Sequence, residues 1–292
     1  MTCENPQCRK EYPIVNGVPV LINDGNSLFS VEDFTRGRST ATLPLRSRLW
    51  RKASKFIPSI SLNTVAARNY RKVRDLLLQS TSNPLVLIVG SGDLGAGLQE
   101  LIEDPRFIFV ESDVYFGNRV QIVADGHDLP FRSGAFDGVI CQAVLEHVVD
   151  PPRCVQEMYR VLKPDGLTYA EIPFVQQVHM QGYDFTRYTL GGFRRLFRNF
   201  REVEAGVSGG PGMALTWTIS YFFGSFSRAR FWTLLKVAIL PFFIFWLKYF
   251  DYFLVNKPSS SDAASGVYFL GYKSSAVLSD REILHKHWTY RK

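Results

Sequence analysis

Residues 84–131 constrain the fold more than any other stretch of the chain. Leu85-Val86-Leu87-Ile88-Val89 is an unbroken apolar run, the pattern of a strand covered on both faces and hence of a parallel sheet. It stops at Gly90-Ser91-Gly92-Asp93-Leu94-Gly95-Ala96-Gly97, beyond which Leu98, Leu101 and Ile102 have helical spacing. Glycines at such a turn let backbone approach a ligand closely, and the N–H groups of a helix start favour a negatively charged group. A second strand, Phe107-Ile108-Phe109-Val110, delivers Glu111 and Asp113 about 20 residues after the glycines, where a carboxylate can take ribose hydroxyls. These features predict a nucleotide-like cofactor on an open α/β sheet. The spacing of Gly90, Gly92 and Gly95 fits a dinucleotide fingerprint equally well.

Downstream blocks narrow the choice. Val123-Ala124-Asp125-Gly126-His127-Asp128-Leu129-Pro130-Phe131 is followed by Phe136-Asp137-Gly138-Val139 and by Leu145-Glu146-His147-Val148. Arg160-Val161-Leu162-Lys163-Pro164-Asp165-Gly166 completes the series. In order and spacing, residues 84–207 resemble the class I S-adenosylmethionine-dependent methyltransferases. The resemblance implies an α/β fold, a Rossmann-like seven-stranded sheet with helices on both faces and its last strand antiparallel. It implies S-adenosylmethionine as cofactor, with Gly90, Ser91 and Gly92 under the methionine part. Glu111 or Asp113 would hold the ribose and Asp125 the adenine amino group, with Gly126 and His127 beside the ring. Gln142 and Ala143 would end the fourth strand next to the transferable methyl, where His147 would begin a helix. Two positions depart from the family pattern: Ile88 stands where an acid is usual, and Leu94 where a glycine is, with Gly95 one place late.

Pro173-Phe174, His179 and the run Asp184-Phe185-Thr186-Arg187-Tyr188-Thr189 resemble a phrase of methyltransferases associated with glycan assembly. Such a loop lies at the carboxyl edge of the sheet, where open α/β proteins bind ligand. His179 with Asp184, and His147, are therefore the candidate catalytic groups, and Arg187 and Tyr188 the candidate acceptor contacts. Arg187 either grips an anion bidentately or pins Asp184. The expected activity is O-methylation of a small-molecule, glycan or lipid-linked acceptor. An NAD-dependent oxidoreductase accounts for the glycines but leaves Asp125, Leu129-Pro130-Phe131 and Leu145-Glu146-His147 unexplained. A degenerate, non-catalytic member of the fold acting as a binding module is the second alternative, favoured by Ile88 and Leu94.

The rest of the chain divides around this unit. Residues 1–30 end in a Tyr12-Pro13-Ile14 to Leu21 phrase resembling half of a zinc-ribbon module. Only one cysteine pair, Cys3 and Cys8, is present there, spaced wider than C-x-x-C, so a remnant hairpin and no metal are expected. Residues 31–64 form a basic arm. From Phe34 to Arg74 no acid occurs, while Arg38, Arg46, Arg48, Arg51, Lys52 and Lys55 crowd its middle. With a net charge of +7, this suggests an anionic partner such as a membrane surface. No nucleic-acid-binding motif accompanies the charge. The methyltransferase domain is expected at 65–277, with an insertion at 208–265 between its last two strands and a tail at 278–292. Four cysteines without a disulfide framework, and no apolar leader, suggest a reducing, cytoplasmic compartment.

Phe231 to Val255 is the most apolar run. Only the 11 residues between Lys236 and Lys248 are free of charge, and Pro241 interrupts them. The segment is therefore expected to rest on a membrane surface without crossing it, or to form a lid or dimer contact.

Overall fold

β3 (Leu85–Val89) is apolar throughout because it lies at the centre of a seven-stranded sheet, with Val86 and Leu87 fully buried. The computed structural model describes residues 1–3, 9–36, 56–227 and 229–290. Cys8, the basic arm from Arg38 to Lys55, and Arg228 lie outside the described residues. β4 (Ile108–Asp113) and β6 (Phe136–Gln142) flank β3 in parallel, with β5 (Ile122–Val123) outside β4 and β7 (Leu162–Pro173) beyond β6. β9 (Gly266–Lys273) runs antiparallel between β7 and β8 (Phe200–Gly209). The order β5-β4-β3-β6-β7-β9-β8 is the expected Rossmann-like sheet with its last strand antiparallel. All parallel strands end on the same edge, so their carboxyl ends meet there.

Local chemistry sets most element ends. β4 continues two acids further than its apolar run, because Asp113 pairs with Val123. In β7, Leu162 pairs with Phe136 and Leu167 with Gly138, so residues 163–166 bulge out between them. After the glycine turn only one helical turn forms, Gln99–Ile102. His147 does not open a helix, contrary to expectation. Its N–H donates to the Val144 carbonyl at 2.8 Å in a turn, and the helix starts later, at Pro151–Val161. Asp150 caps that helix by accepting from the Arg153 N–H at 3.1 Å, and Pro151 sits where no N–H is needed.

The N-terminal hairpin pairs β1 (Ile14–Val15) with β2 (Val18–Pro19). Its Asn16-Gly17 turn has positive φ at both residues, the geometry that suits a two-residue hairpin. Val20 and Ile22 then pack with Phe34, Val120 and Val123 as a second small core. Leu21 donates its N–H to the Val123 carbonyl at 2.8 Å, docking this segment on the sheet edge.

Between β8 and β9 the chain forms a helix, α1 (Pro211–Gly224), and returns through an apolar helix, Phe231–Leu254. Pro241 does not break the latter. Leu235–Ile239, ending two residues before it, widen to a π turn, which relieves the clash of the ring with the preceding carbonyl. Nor do its lysines face outward. Lys248 is buried and donates to the Ser59 carbonyl, and Lys236 lies 3.0 Å from the Tyr221 ring centre on α1. By length and composition alone this helix is apolar enough to cross a membrane. Its outer face presents Phe243, 70% exposed, and Phe253, 74% exposed, together with Phe242, Trp246 and Phe250.

Asp251 ties this helix to α1. Its side chain is fully buried and accepts the Gly212 and Met213 N–H groups at 2.7 and 2.9 Å, which a helix start otherwise leaves unpaired. Asp251→Ala should destabilise the protein by about 1–3 kcal/mol, with Asp251→Asn losing less. Equal melting temperatures for wild type and Asp251→Ala would refute this role.

Candidate functional site

A cavity of 740 Å³ opens at the carboxyl ends of β3, β4, β6 and β7. Its floor is the turn after β3. Gly90 has φ +79°, and a Cβ there would overlap the Val144 side chain, so only glycine suits both the left-handed turn and the packing against Val144. Gly92 leaves no room for a Cβ beside the Tyr115 hydroxyl. Its N–H donates to Asp113 at 2.8 Å, as does that of Val114 at 2.7 Å. Burial nevertheless pushes the Asp113 carboxyl up to about 6.

Asp125, Gly126 and His127 line the next part of the wall. The His127 ring nitrogen Nδ1 lies 2.7 Å from Asp125 and the His127 N–H donates to it at 2.9 Å. Ser27, from the N-terminal segment, donates to the other carboxylate oxygen. Burial alone would raise the Asp125 carboxyl, but these hydrogen bonds outweigh it and hold the group below its usual range. Leu28 and Phe29 from the same N-terminal segment also face the cavity, a contribution the sequence did not signal.

Gln142 and Ala143 end β6 on the cavity wall. Ala143 sits at φ +53°, a left-handed conformation costly for alanine, and reverses the chain so that Glu146 turns inward. The Glu146 carboxylate is fully buried, and neither oxygen has a hydrogen-bond partner among the described residues. Burial pushes it up to about 8. His147 Nε2 lies 3.6 Å and His179 Nε2 3.9 Å from the Glu146 Oε1. Burial lowers the His147 imidazole below its usual value. The sequence marked Glu146 only as part of a family phrase; its inward turn depends on Ala143, a residue type that gives no warning of positive φ.

His179 arrives on the loop between β7 and β8, which folds back over the β6 turn. Phe185 donates its N–H to the Glu146 carbonyl at 2.8 Å, and the His147 Nδ1 meets the Tyr183 carbonyl at 2.6 Å. Asp184 accepts the His179 N–H at 2.8 Å and pairs with Arg187, which holds it at about 2 although burial opposes this. The five residues that the sequence offered for the cofactor or acceptor but that do not line this cavity are accounted for by their partners. Ser91 and Glu111 face a smaller neighbouring cavity, where Arg119 grips Glu111, while Gly92 serves through its N–H. Arg187 is directed away from the cavity because its donors are engaged by Asp184 and the Gln176, Gln177 and Thr186 carbonyls. Tyr188 packs toward Phe193, with ring centres 6.2 Å apart.

Glu171, absent from the sequence reading, closes the wall behind Gln142. It accepts from Asn63 at 3.0 Å and from Gln142 at 3.1 Å, and burial raises its carboxyl. The insertion borders the same site. Trp217 lies 6.1 Å from the His179 ring, and the Tyr221 hydroxyl donates to the Val178 carbonyl at 2.8 Å.

Residues 105–170, which carry β4 through most of β7, match a family described as a methyltransferase domain. Over 67 residues the chain is 40% identical to a ubiquinone biosynthesis O-methyltransferase of Xanthomonas oryzae pv. oryzae, covering 23% of this chain and 27% of that protein. Over 163 residues it is 24% identical to the ubiquinone/menaquinone biosynthesis C-methyltransferase UbiE of Geotalea daltonii, covering 48% of this chain and 69% of that one. The first of these alignments thus spans about a quarter of the relative's length. Among solved structures, a Burkholderia thailandensis 1,6-didemethyltoxoflavin-N1-methyltransferase is similar at a TM-score of 0.42 and 12% identity, covering 80% of this chain and 94% of that one.

Asp184 is the anchor of the loop that brings His179 to the wall. Asp184→Ala should cost about 1–3 kcal/mol, since the His179 N–H and Arg187 lose a charged acceptor. Hydrogen exchange at the amides of residues 179, 185 and 186 should accelerate together. Unchanged exchange at those amides would show that the loop is held by other contacts.

Proposed function

We propose that this chain is an S-adenosylmethionine-dependent methyltransferase acting on a hydroxyl of a lipid-linked or glycan acceptor. The observation that carries the reading is one cavity into which the Gly90 turn, Asp113, Asp125 and the end of β6 all open. Its volume suits a nucleoside-sized cofactor with space for an acceptor. The chain's own groups fit that cofactor: a turn without a side chain at Gly90 and Gly92, and a buried carboxylate at the end of each of two neighbouring segments.

In this reading Asp113 receives the ribose hydroxyls, and Asp125, with Gly126 and His127 beside it, receives the adenine amino group. The Gly90–Gly92 turn and Gln142 surround the methionine part. When bound, S-adenosylmethionine supplies an activated methyl on a sulfonium, for displacement by an acceptor atom. The protein's task is to hold the acceptor in line and to accept its proton. His179, with its Nε2 on the cavity wall and Asp184 fixing its backbone, is the group placed for the proton. His147 stands beside it, with ring centres 4.9 Å apart.

The lipid-linked acceptor rests on the insertion. Its outer aromatic face is exposed, while α1 on its inner side meets the His179 loop through Trp217 and Tyr221. A peripheral position of that face on a membrane would bring a lipid-borne hydroxyl to the cavity. The ubiquinone-pathway names of two relatives fit an acceptor with a lipid tail.

Asp125→Ala should weaken S-adenosylmethionine binding by about 1–3 kcal/mol, the cost of leaving a buried donor without its acceptor. Calorimetry against S-adenosylmethionine and NAD checks both halves of the assignment. An unchanged dissociation constant in the variant sinks the adenine assignment, and tighter binding of NAD sinks the enzyme class. Flotation with neutral and anionic liposomes tests the insertion. The wild type should float, and a Phe243→Glu, Phe253→Glu variant should stay behind. Wild-type protein that remains soluble on both lipids contradicts the membrane reading.

A further inference from the structure

Three electron-pair donors converge on the cavity wall with no hydrogen-bond donor between them. His147 Nδ1 is 2.6 Å from the Tyr183 carbonyl, which only accepts, so Nδ1 carries the proton and Nε2 the lone pair. His179 Nδ1 faces the Gln177 carbonyl at 3.2 Å and Asp184 at 3.5 Å, so its Nε2 is likewise the lone pair. Both Nε2 atoms point toward Glu146, whose two carboxylate oxygens are buried and unpartnered among the described residues. One ligand atom from each of the three side chains falls within 4.8 Å of the others. Neutral imidazole lone pairs and a carboxylate repel one another at this range in a low-dielectric wall. A proton on Glu146 relieves one contact at most, and the 3.6 and 3.9 Å separations are too long for a hydrogen bond to either ring.

We propose that Glu146, His147 and His179 form a binding site for one divalent cation of the zinc type, with an open position facing the cavity. Two imidazoles and a carboxylate suit Zn²⁺ and its neighbours, whereas Mg²⁺ and Ca²⁺ take oxygen ligands. Both rings already have the outer support that metal-bound histidines usually show, an Nδ1–H directed at a carbonyl or carboxylate. Bond lengths of about 2.1 Å place tetrahedral ligands roughly 3.4 Å apart, so the three side chains need close by well under an ångström for the two measured pairs. His179 stands on a loop and Glu146 at a turn, where such movement costs little packing. The open position takes an oxygen of the acceptor.

The role of the ion rests on the methyltransferase reading, but its binding does not. With the ion in place, His179 orients the acceptor oxygen through it; the bound hydroxyl, acidified by the cation, gives its proton to solvent, and Nε2 serves as a ligand in place of taking that proton. Asp184 then acts as a positioning residue for a ligand. No cysteine contributes, which separates this site from the Cys3 and Cys8 pair at the N-terminus.

The test is titration of chelator-stripped full-length protein with Co²⁺, followed by competition with Zn²⁺, in a Cys3→Ser, Cys8→Ser background. One equivalent of Co²⁺ should bind with the visible absorption of a four- or five-coordinate ion and be displaced by Zn²⁺. Glu146→Gln and His179→Asn should each weaken binding by at least about 10–100-fold, the range that even an outer partner's loss produces. His179→Asn, on a loop, keeps the test usable if Glu146→Gln fails to fold; circular dichroism shows which variants are native. No binding by the parent, or equal binding by a folded His179→Asn variant, overturns the proposal. Running the titration beside S-adenosylmethionine calorimetry separates the two readings. Cation binding without cofactor binding removes the methyltransferase assignment alone, and the reverse removes the metal site alone.

Discussion

The parallel register of β3 between β4 and β6 is the constraint on which the molecule depends. Val89 aligns with Ser112 on one side and Cys141 on the other, so three chains leave the sheet side by side. From there the Gly90 turn, Asp113 and the Gln142–Ala143 reversal enter one space without any long loop to gather them. Burial of Leu87, Ile88, Val139 and Ile140, on both faces of the sheet, keeps these strands at the centre of the core. The site is therefore held by the core and not by its own polar contacts.

A second dependence runs through the loop after β7. Glu146, turned inward by the Ala143 reversal, is closed over by residues 179–186 through the Phe185 N–H and the His147–Tyr183 contact. Asp184 and Arg187 stiffen that loop from behind. The loop's other side meets Trp217 and Tyr221 of the insertion, so movement there is transmitted directly to His179. The 179–186 loop, the buried Glu146 and the apolar insertion are thus joined by direct contacts.

The sheet and the glycine turn at the cavity floor were largely legible from sequence because their signals are local. An apolar run with glycines after it specifies β3 and its turn whatever surrounds them, and β9 is equally plain. The acceptor side was less legible because its geometry is set by partners far away in the chain. Arg187 reads as either an anion grip or a pin for Asp184, and the pairing with Asp184 and with the Gln176 and Gln177 carbonyls selects the second. His147 reads as a helix start until Ala143 reverses the backbone and Pro151 sets the true first turn. Pro241 reads as a break because a π turn that accommodates it leaves no composition signature. Lys248 reads as a charge that bounds the apolar run until the Ser59 carbonyl is found to take it inside the fold.

The central claim is that a single cavity holds the cofactor against Asp113 and Asp125, with its reactive end turned toward His147 and His179. A crystal structure of the full-length protein grown with S-adenosylhomocysteine tests this most directly. The account predicts ribose hydroxyls on Asp113, the adenine amino group on Asp125 in the place of Ser27, and the sulfur facing the two imidazoles. Density for the ligand elsewhere on the surface, or in this cavity with its adenine at the histidine end, would contradict it.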